Sequence, residues 1–141
     1  MAEMQILTED LKNASSEALC EAVIDLLLEK KGRNLTAYAV GEESAITDYY
    51  VNITATSSTA VVALADEVAE KMSERGKRPS RIEGRSGASW ILVDFVDVIL
   101  NVFDPQSREF YDIDRLMPAD RKVDIEPIKA RVDEKFNLKN I

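Results

Sequence analysis

Residues 87–103, GASWILVDFVDVILNVF, are the most apolar stretch of the chain, and two aspartates, Asp94 and Asp97, interrupt its middle. A buried carboxylate costs several kcal/mol unless it is paired or solvated. One continuous buried element is therefore excluded. The run reads as two strands, GASWILVD and DVILNVF, that reverse near Phe95 and Val96 and leave both acids wet at the turn. Such a reversal sets Asp94 opposite Asp97, Leu92 opposite Ile99 and Trp90 opposite Asn101. Strand alternation places those side chains on one face, and Ile91, Val93, Val98, Leu100 and Val102 on the other.

The second face is purely aliphatic and is expected to carry helices. The first mixes the single tryptophan, Trp90, with Leu92, Ile99, Asp94, Asp97 and Asn101, and Tyr50 and Asn52 extend it if their strand lies nearby. An aromatic anchor with aliphatics and a polar edge has the composition of a protein interface. The same face could equally be closed by the chain's own C-terminal segment. The turn itself fits poorly. A two-residue hairpin needs positive φ at its central residues and favours Asn-Gly or Asp-Gly. Phe-Val is a poor substitute, and a longer loop would change the register.

The remaining elements follow from periodicity. Apolar residues at Leu11, Ala14, Ala18, Ala22 and Leu26, flanked by Leu19, Val23 and Leu27, predict an amphipathic helix from Leu11 to about Lys30. Residues 35–40 and 48–56 read as strands, the second with Tyr49, Val51 and Ile53 on one face and Tyr50, Asn52 and Thr54 on the other. Ser57 or Ser58 caps the next helix, whose buried stripe is Val61, Leu64, Ala65, Val68 and Met72, and Gly76 ends it. PSRIEG is a short strand, and DPQSREFYDIDRLM a turn with a short helix or irregular packing. DIEPIKARVDEKF is a possible tail helix with Ile125, Ile128, Val132 and Phe136 on one side. The order α-β-β-α-β-β-β gives an α/β (mixed α+β) fold: a single mixed sheet of about five strands with helices mainly on one face.

The chemistry available is narrow. The 141 residues contain no histidine and one cysteine, Cys20. This removes Ser-His and Cys-His triads, most metal sites and any intramolecular disulfide. Cys20 lies in a helical pattern and is expected to be a packed thiol. Asp94 with Asp97, or Asp112 with Asp114, could in principle hold magnesium for phosphoryl transfer, but no glycine-rich phosphate loop accompanies them. No cofactor and no catalytic residue are expected. The net charge of −8 opposes direct nucleic-acid binding, although KMSERGKRPSRIEGR is locally basic, and suits a basic protein partner. The acidic N-terminus lacks the pattern of a signal peptide, and no apolar run is long enough to span a membrane, so a cytoplasmic location is expected.

In order, ITDYYVNITATSS, ALADEVAE, IEG, GASWILVDFVDVILNVF and REFYDIDRL resemble the Iojap family, the ribosomal silencing factors of bacteria and organelles. The resemblance covers roughly residues 10 to 117 and is most specific at Thr47-Asp48-Tyr49, Glu83-Gly84 and Trp90 through Asp97. It implies a nucleotidyltransferase-like fold without established transferase activity. It also implies binding to the large ribosomal subunit through the ribosomal protein L-fourteen, steric blocking of small-subunit joining, repression of translation under nutrient limitation, and a homodimer when free. The chain departs from the usual pattern: Ala55 and Val96 stand where glycine is common, Ala60 and Asn101 where histidine is common, and Met117 where tryptophan is frequent. The missing histidines argue against a catalytic or metal role at those positions.

The resulting expectation is a silencing-factor domain over 1–118 and a C-terminal extension over 119–141. Trp90 and Leu92 are the expected apolar anchors, Asp94, Asp97 and Glu83 the acidic contacts, and Tyr50, Asn101 and Phe103 the weaker ones. The alternatives are a magnesium-dependent nucleotidyltransferase using the aspartates and a dimeric adaptor acting away from ribosomes.

Overall fold

The computed structural model describes residues 10–30, 32–42 and 44–139. In chain order these form α1 (Ser16–Glu29), β1 (Arg33–Ala39), β2 (Tyr49–Thr54), α2 (Ser58–Glu74), β3 (Arg81–Glu83), β4 (Trp90–Asp94), β5 (Val98–Phe103), α3 (Pro105–Tyr111), two 3-10 turns (Ile113–Leu116 and Ala119–Arg121) and α4 (Glu126–Lys139). The strands make one mixed sheet in the order β1-β2-β5-β4-β3, in which only β2 and β5 run parallel. A parallel pair needs a long crossover, and α2 with the β3-β4 hairpin supplies it.

The aliphatic face behaves as its alternation dictates. Val51, Ile53, Ile91, Val93, Val98, Leu100 and Val102 are all buried, and they join Leu19, Val23, Ile24 and Leu27 of α1 and Val61, Leu64, Ala65, Val68 and Met72 of α2 in one core. The Ser57 hydroxyl starts α2 by accepting from the Ala60 N–H at 3.1 Å. The helix ends at Gly76, whose φ is +92°. Gly76 donates to the Ser73 carbonyl and Lys77 to that of Met72, so the last carbonyls are satisfied at a residue with no Cβ to object.

The tail runs from one face of the sheet to the other around its β1 edge. Val123 donates its N–H to the Ala37 carbonyl at 2.7 Å, and Lys122 bridges Tyr38. Beyond that edge α4 lies on α1, with Ile128 and Val132 buried. Lys135 reaches Glu29 at 2.7 Å and Arg131 reaches Glu21 at 3.6 Å. Phe136, expected on the same side, has its side chain outside the described residues.

Three expectations need correction. The first helix begins at Ser16 rather than Leu11, because the Ser15 hydroxyl accepts from the Ala18 N–H and caps it there. Leu11 instead donates its N–H to the Arg75 carbonyl and is buried. The first strand spans Arg33–Ala39 and not 35–40, with its register broken between Arg33 and Thr36. The β4-β5 register also differs. Asp94 pairs with Ile99, Leu92 with Asn101 and Trp90 with Phe103, so Asp97 faces no strand partner and belongs to the turn. Phe95 takes a buried position there, which lengthens the loop. The displacement is an even number of residues, so the two faces keep their membership.

Candidate functional site

The second face of the sheet carries a row of polar side chains at its centre, which is unusual for interior strand positions. Asn52 and Asn101 are register partners across the parallel pair and are both buried. Buried amides are costly unless bonded, and each here uses the next. The Trp90 indole N–H donates to Asn101 Oδ1 at 3.0 Å, Asn101 Nδ2 to Asn52 Oδ1 at 3.0 Å, and Asn52 Nδ2 to Asp114 Oδ1 at 3.3 Å. The chain of bonds crosses the sheet from β4 to β2 and ends on the segment that follows α3.

Asp114 is the hub. It accepts from Tyr38 at 3.2 Å and from the Thr36 hydroxyl. Its other oxygen takes Arg108 Nε at 2.9 Å. The remaining guanidinium nitrogens donate to Thr54 at 3.0 Å and Thr36 at 3.1 Å, and the guanidinium carbon lies 6.0 Å from the centre of the Phe103 ring. Burial pushes the Asp114 carboxyl up, but hydrogen bonds from Arg108, Thr36 and Asn52 with the Arg108 charge outweigh it, and the carboxyl titrates below the ordinary range. Among the described residues no buried side-chain nitrogen or oxygen lacks a partner.

Local sequence explains how the segment carrying Arg108 and Asp114 is placed. Asp104 caps α3 by accepting from the Ser107 N–H at 2.7 Å, and Pro105 fits the first turn, where no N–H is needed. Asp112 closes the helix in the left-handed region at φ +47°, turning the chain so that Asp114 enters the network. Asp112 itself stays exposed, so the Asp-x-Asp pair is split between two environments. Among the described residues no group of three or more acidic, histidine or cysteine side chains could hold a metal ion.

An aromatic series climbs from this network to the surface. Phe103 is fully buried, Trp90 stacks on it at 5.0 Å, Tyr111 lies 4.8 Å from Trp90, and Phe110 meets Tyr111 edge-on at 5.1 Å. Exposure rises to 49% at Tyr111 and 79% at Phe110, and Leu116 on the next turn is 80% exposed. Gly84 fixes the start of β4. Its φ is +85°, and a Cβ there would lie 2.1 Å from the Trp90 carbonyl oxygen.

The expected contact residues divide accordingly. Trp90, Leu92 and Tyr50 are half-buried. Asn101 and Phe103 are buried beneath the α3 segment and Trp90. They cannot touch a partner directly, and their role is to hold Trp90. Glu83 and Asp94 are both engaged by Arg81, at 3.1 Å each, which makes them a paired edge rather than free acids. Asp94 also accepts from the Val96 N–H at 2.8 Å, while Asp97 sits partly exposed in the turn. Phe110, Tyr111 and Leu116 did not stand out in the sequence, because their segment has no periodicity. The available signal is four large apolar residues, Phe110, Tyr111, Ile113 and Leu116, in a seven-residue stretch that forms no helical stripe.

The family described as ribosomal silencing factor during starvation matches residues 13–140 of this chain. A ribosomal silencing factor from Zymomonas mobilis is 32% identical over 108 residues, covering 74% of this chain and 81% of its own length. One from Haemophilus influenzae is 32% identical over 99 residues, covering 70% of this chain and 97% of its own. The crystal structure of a protein from Chromobacterium violaceum superposes with a TM-score of 0.70 at 28% identity, covering 73% of this chain and 86% of the other.

Proposed function

The chain belongs to the ribosomal silencing factor family, and from that premise we propose that it binds the large ribosomal subunit through the ribosomal protein L-fourteen. Bound there, it blocks joining of the small subunit by its bulk and represses translation when nutrients are limiting. The free protein is a homodimer. On this reading the domain over 1–118 carries the docking face, and the described part of the 119–141 extension braces it through β1 and α1.

The observation that carries the reading is the exposed aromatic step of Tyr111 and Phe110 beside half-buried Trp90, with Leu116 exposed on the following turn, on a chain of net charge −8. Clustered large apolar side chains on a protein surface mark contact sites, and aromatic anchors dominate their energetics. An acidic protein is drawn to a basic ribosomal protein. Trp90 and Leu92 lie beside the step, Tyr50 lies on the same face toward the other end of the strands, and the Arg81–Glu83–Asp94 edge supplies charge. Steric blocking asks only for affinity and volume, so no catalytic group is required.

The test mixes the protein with isolated subunits. It should sediment with large subunits, and their joining to small subunits should fail. Sedimentation with small subunits alone, or joining that proceeds normally on saturated large subunits, would overturn the reading.

A further inference from the structure

The tip of the β4-β5 hairpin holds a conformation its sequence resists. Val96 has φ +75°, in the left-handed half of conformational space where a β-branched residue is a genuine outlier. It is the centre of a three-residue turn, closed by the Asp97 N–H donating to the Phe95 carbonyl at 3.0 Å, a turn that is strained for this sign of φ. The surroundings leave the backbone no alternative. Phe95 is fully buried on one side. Asp94, itself held by Arg81, accepts the Val96 N–H. The Asp97 carbonyl receives both the Asp48 and Tyr49 N–H groups, at 3.2 and 3.1 Å.

Only the side chain remains to be explained. Glycine would occupy this backbone without strain. The valine side chain contributes little to the core, since the residue is 55% exposed. Ile46, 70% exposed, sits on the loop that those Asp48 and Tyr49 bonds tie to the same end of the sheet. Asp94 and Asp97 flank the tip in sequence; the Asp94 carboxylate is paired with Arg81, while Asp97 is partly exposed. The tip is thus an apolar knob with one partly exposed carboxylate, Asp97, beside it. Trp90 starts β4 and Val96 lies in the turn that follows its end, so roughly 13 Å of extended strand from Trp90 to Asp94 separates the two points before the turn.

Strain kept at an exposed position points to a task outside the fold. We infer that Val96 is a specificity-determining contact, a second docking point that inserts into an apolar recess rimmed by lysine or arginine on the large-subunit protein gripped by the Trp90–Phe110 step. This rests on the docking reading above. A partner must offer both recesses at the right separation, which a single aromatic anchor would not demand.

The two roles of Val96 move in opposite directions on substitution. Val96→Gly removes strain and should raise Tm by about 3 °C, while lowering affinity for large subunits about fivefold. Val96→Asn, which also tolerates positive φ, should raise Tm and lose affinity alike. Thermal unfolding and sedimentation with isolated large subunits read the two effects. Variants of higher Tm that bind as wild type does overturn the inference and leave the docking reading standing. A Tm that falls overturns it by removing the strain. Wild type that does not sediment with large subunits overturns both readings together.

Discussion

The two faces of the sheet solve the same problem by different physics. The aliphatic face, from Ile91 and Val93 through Leu100 and Val102 to Val51 and Ile53, is covered by α1 and α2 and held by non-directional burial. The opposite face is held by a chain of single hydrogen bonds from Trp90 through Asn101 and Asn52 to Asp114 and Arg108. Burial degrades gradually, because each lost methylene costs about 0.8 kcal/mol. A bonded network degrades in steps, because removing one member leaves its neighbours buried and unmet. The polar face is therefore the sensitive one, although it carries less apolar surface, and its reward is that Trp90 is fixed in one orientation beneath the exposed aromatic step.

The harshest test sets one conservative change on each face side by side. Asp114→Asn keeps the shape but removes the charge that partners Arg108, which is only 11% exposed. It should cost about 3 kcal/mol, the low end for breaking a buried pair. Ile91→Val on the aliphatic face should cost about 1 kcal/mol. Urea unfolding measures both. If the asparagine variant proved the milder, the network would be ornamental and the contrast between faces would fail.

Next in size is a loss of binding without a loss of fold. Phe110→Ala with Leu116→Ala removes two side chains that the protein leaves in water. Affinity for large subunits should fall about thirtyfold, roughly 2 kcal/mol, with Tm unchanged. Trp90→Ala cannot make this separation. It takes away the stacking on Phe103 and the donor to Asn101, so stability and binding fall together. A double variant that binds normally would move the docking face elsewhere.

Acid titration sharpens the contrast more gently. The Asp114 carboxyl titrates below its ordinary value in the folded state. A depressed carboxylate lends stability that is complete above the unfolded value, about 3.9, and that is lost as pH falls through the folded one. Wild type and Asp114→Asn should therefore converge in stability as pH drops from roughly 5 to 2. Parallel curves would mean that the Arg108 pair contributes nothing in water.

Much of this contrast was legible in the residues. Alternation in WILVD and VILNVF assigns both faces, and the observed register keeps that assignment because it is displaced by an even number of residues. The register was not legible. It depends on Phe95 being buried and on Val96 accepting positive φ, and neither is a local preference of those residues. Asn52 and Asn101 stood in the middle of apolar strands, a signal that each needed a buried partner, but β2 and β5 become neighbours only through the crossover. The Asp112-x-Asp114 spacing suggests a pair on one strand face, and the left-handed turn at Asp112 separates them. The α3 segment lacked periodicity because it buries no side chain fully. Its exposed aromatics therefore left no pattern to read.

The last test lies on the quiet face. Cys20 is 2% exposed among the α1 side chains that enter the core. Burial, with smaller contributions from the Glu21 and Glu17 charges, pushes its thiol up to about 12. The nucleophilic form is the thiolate, so the folded protein should react with a thiol reagent at pH 8 only as fast as it opens globally. The linkage runs opposite to that of Asp114. A raised pKa lends stability that is complete below the unfolded value, about 8.5, and that is lost as pH rises toward the folded value. Wild type should therefore weaken between about pH 8.5 and 12, and Cys20→Ala should weaken less over the same interval. Labelling faster than global unfolding would show that the aliphatic face opens locally, and that its tolerance comes from looseness in α1 rather than from redundant burial.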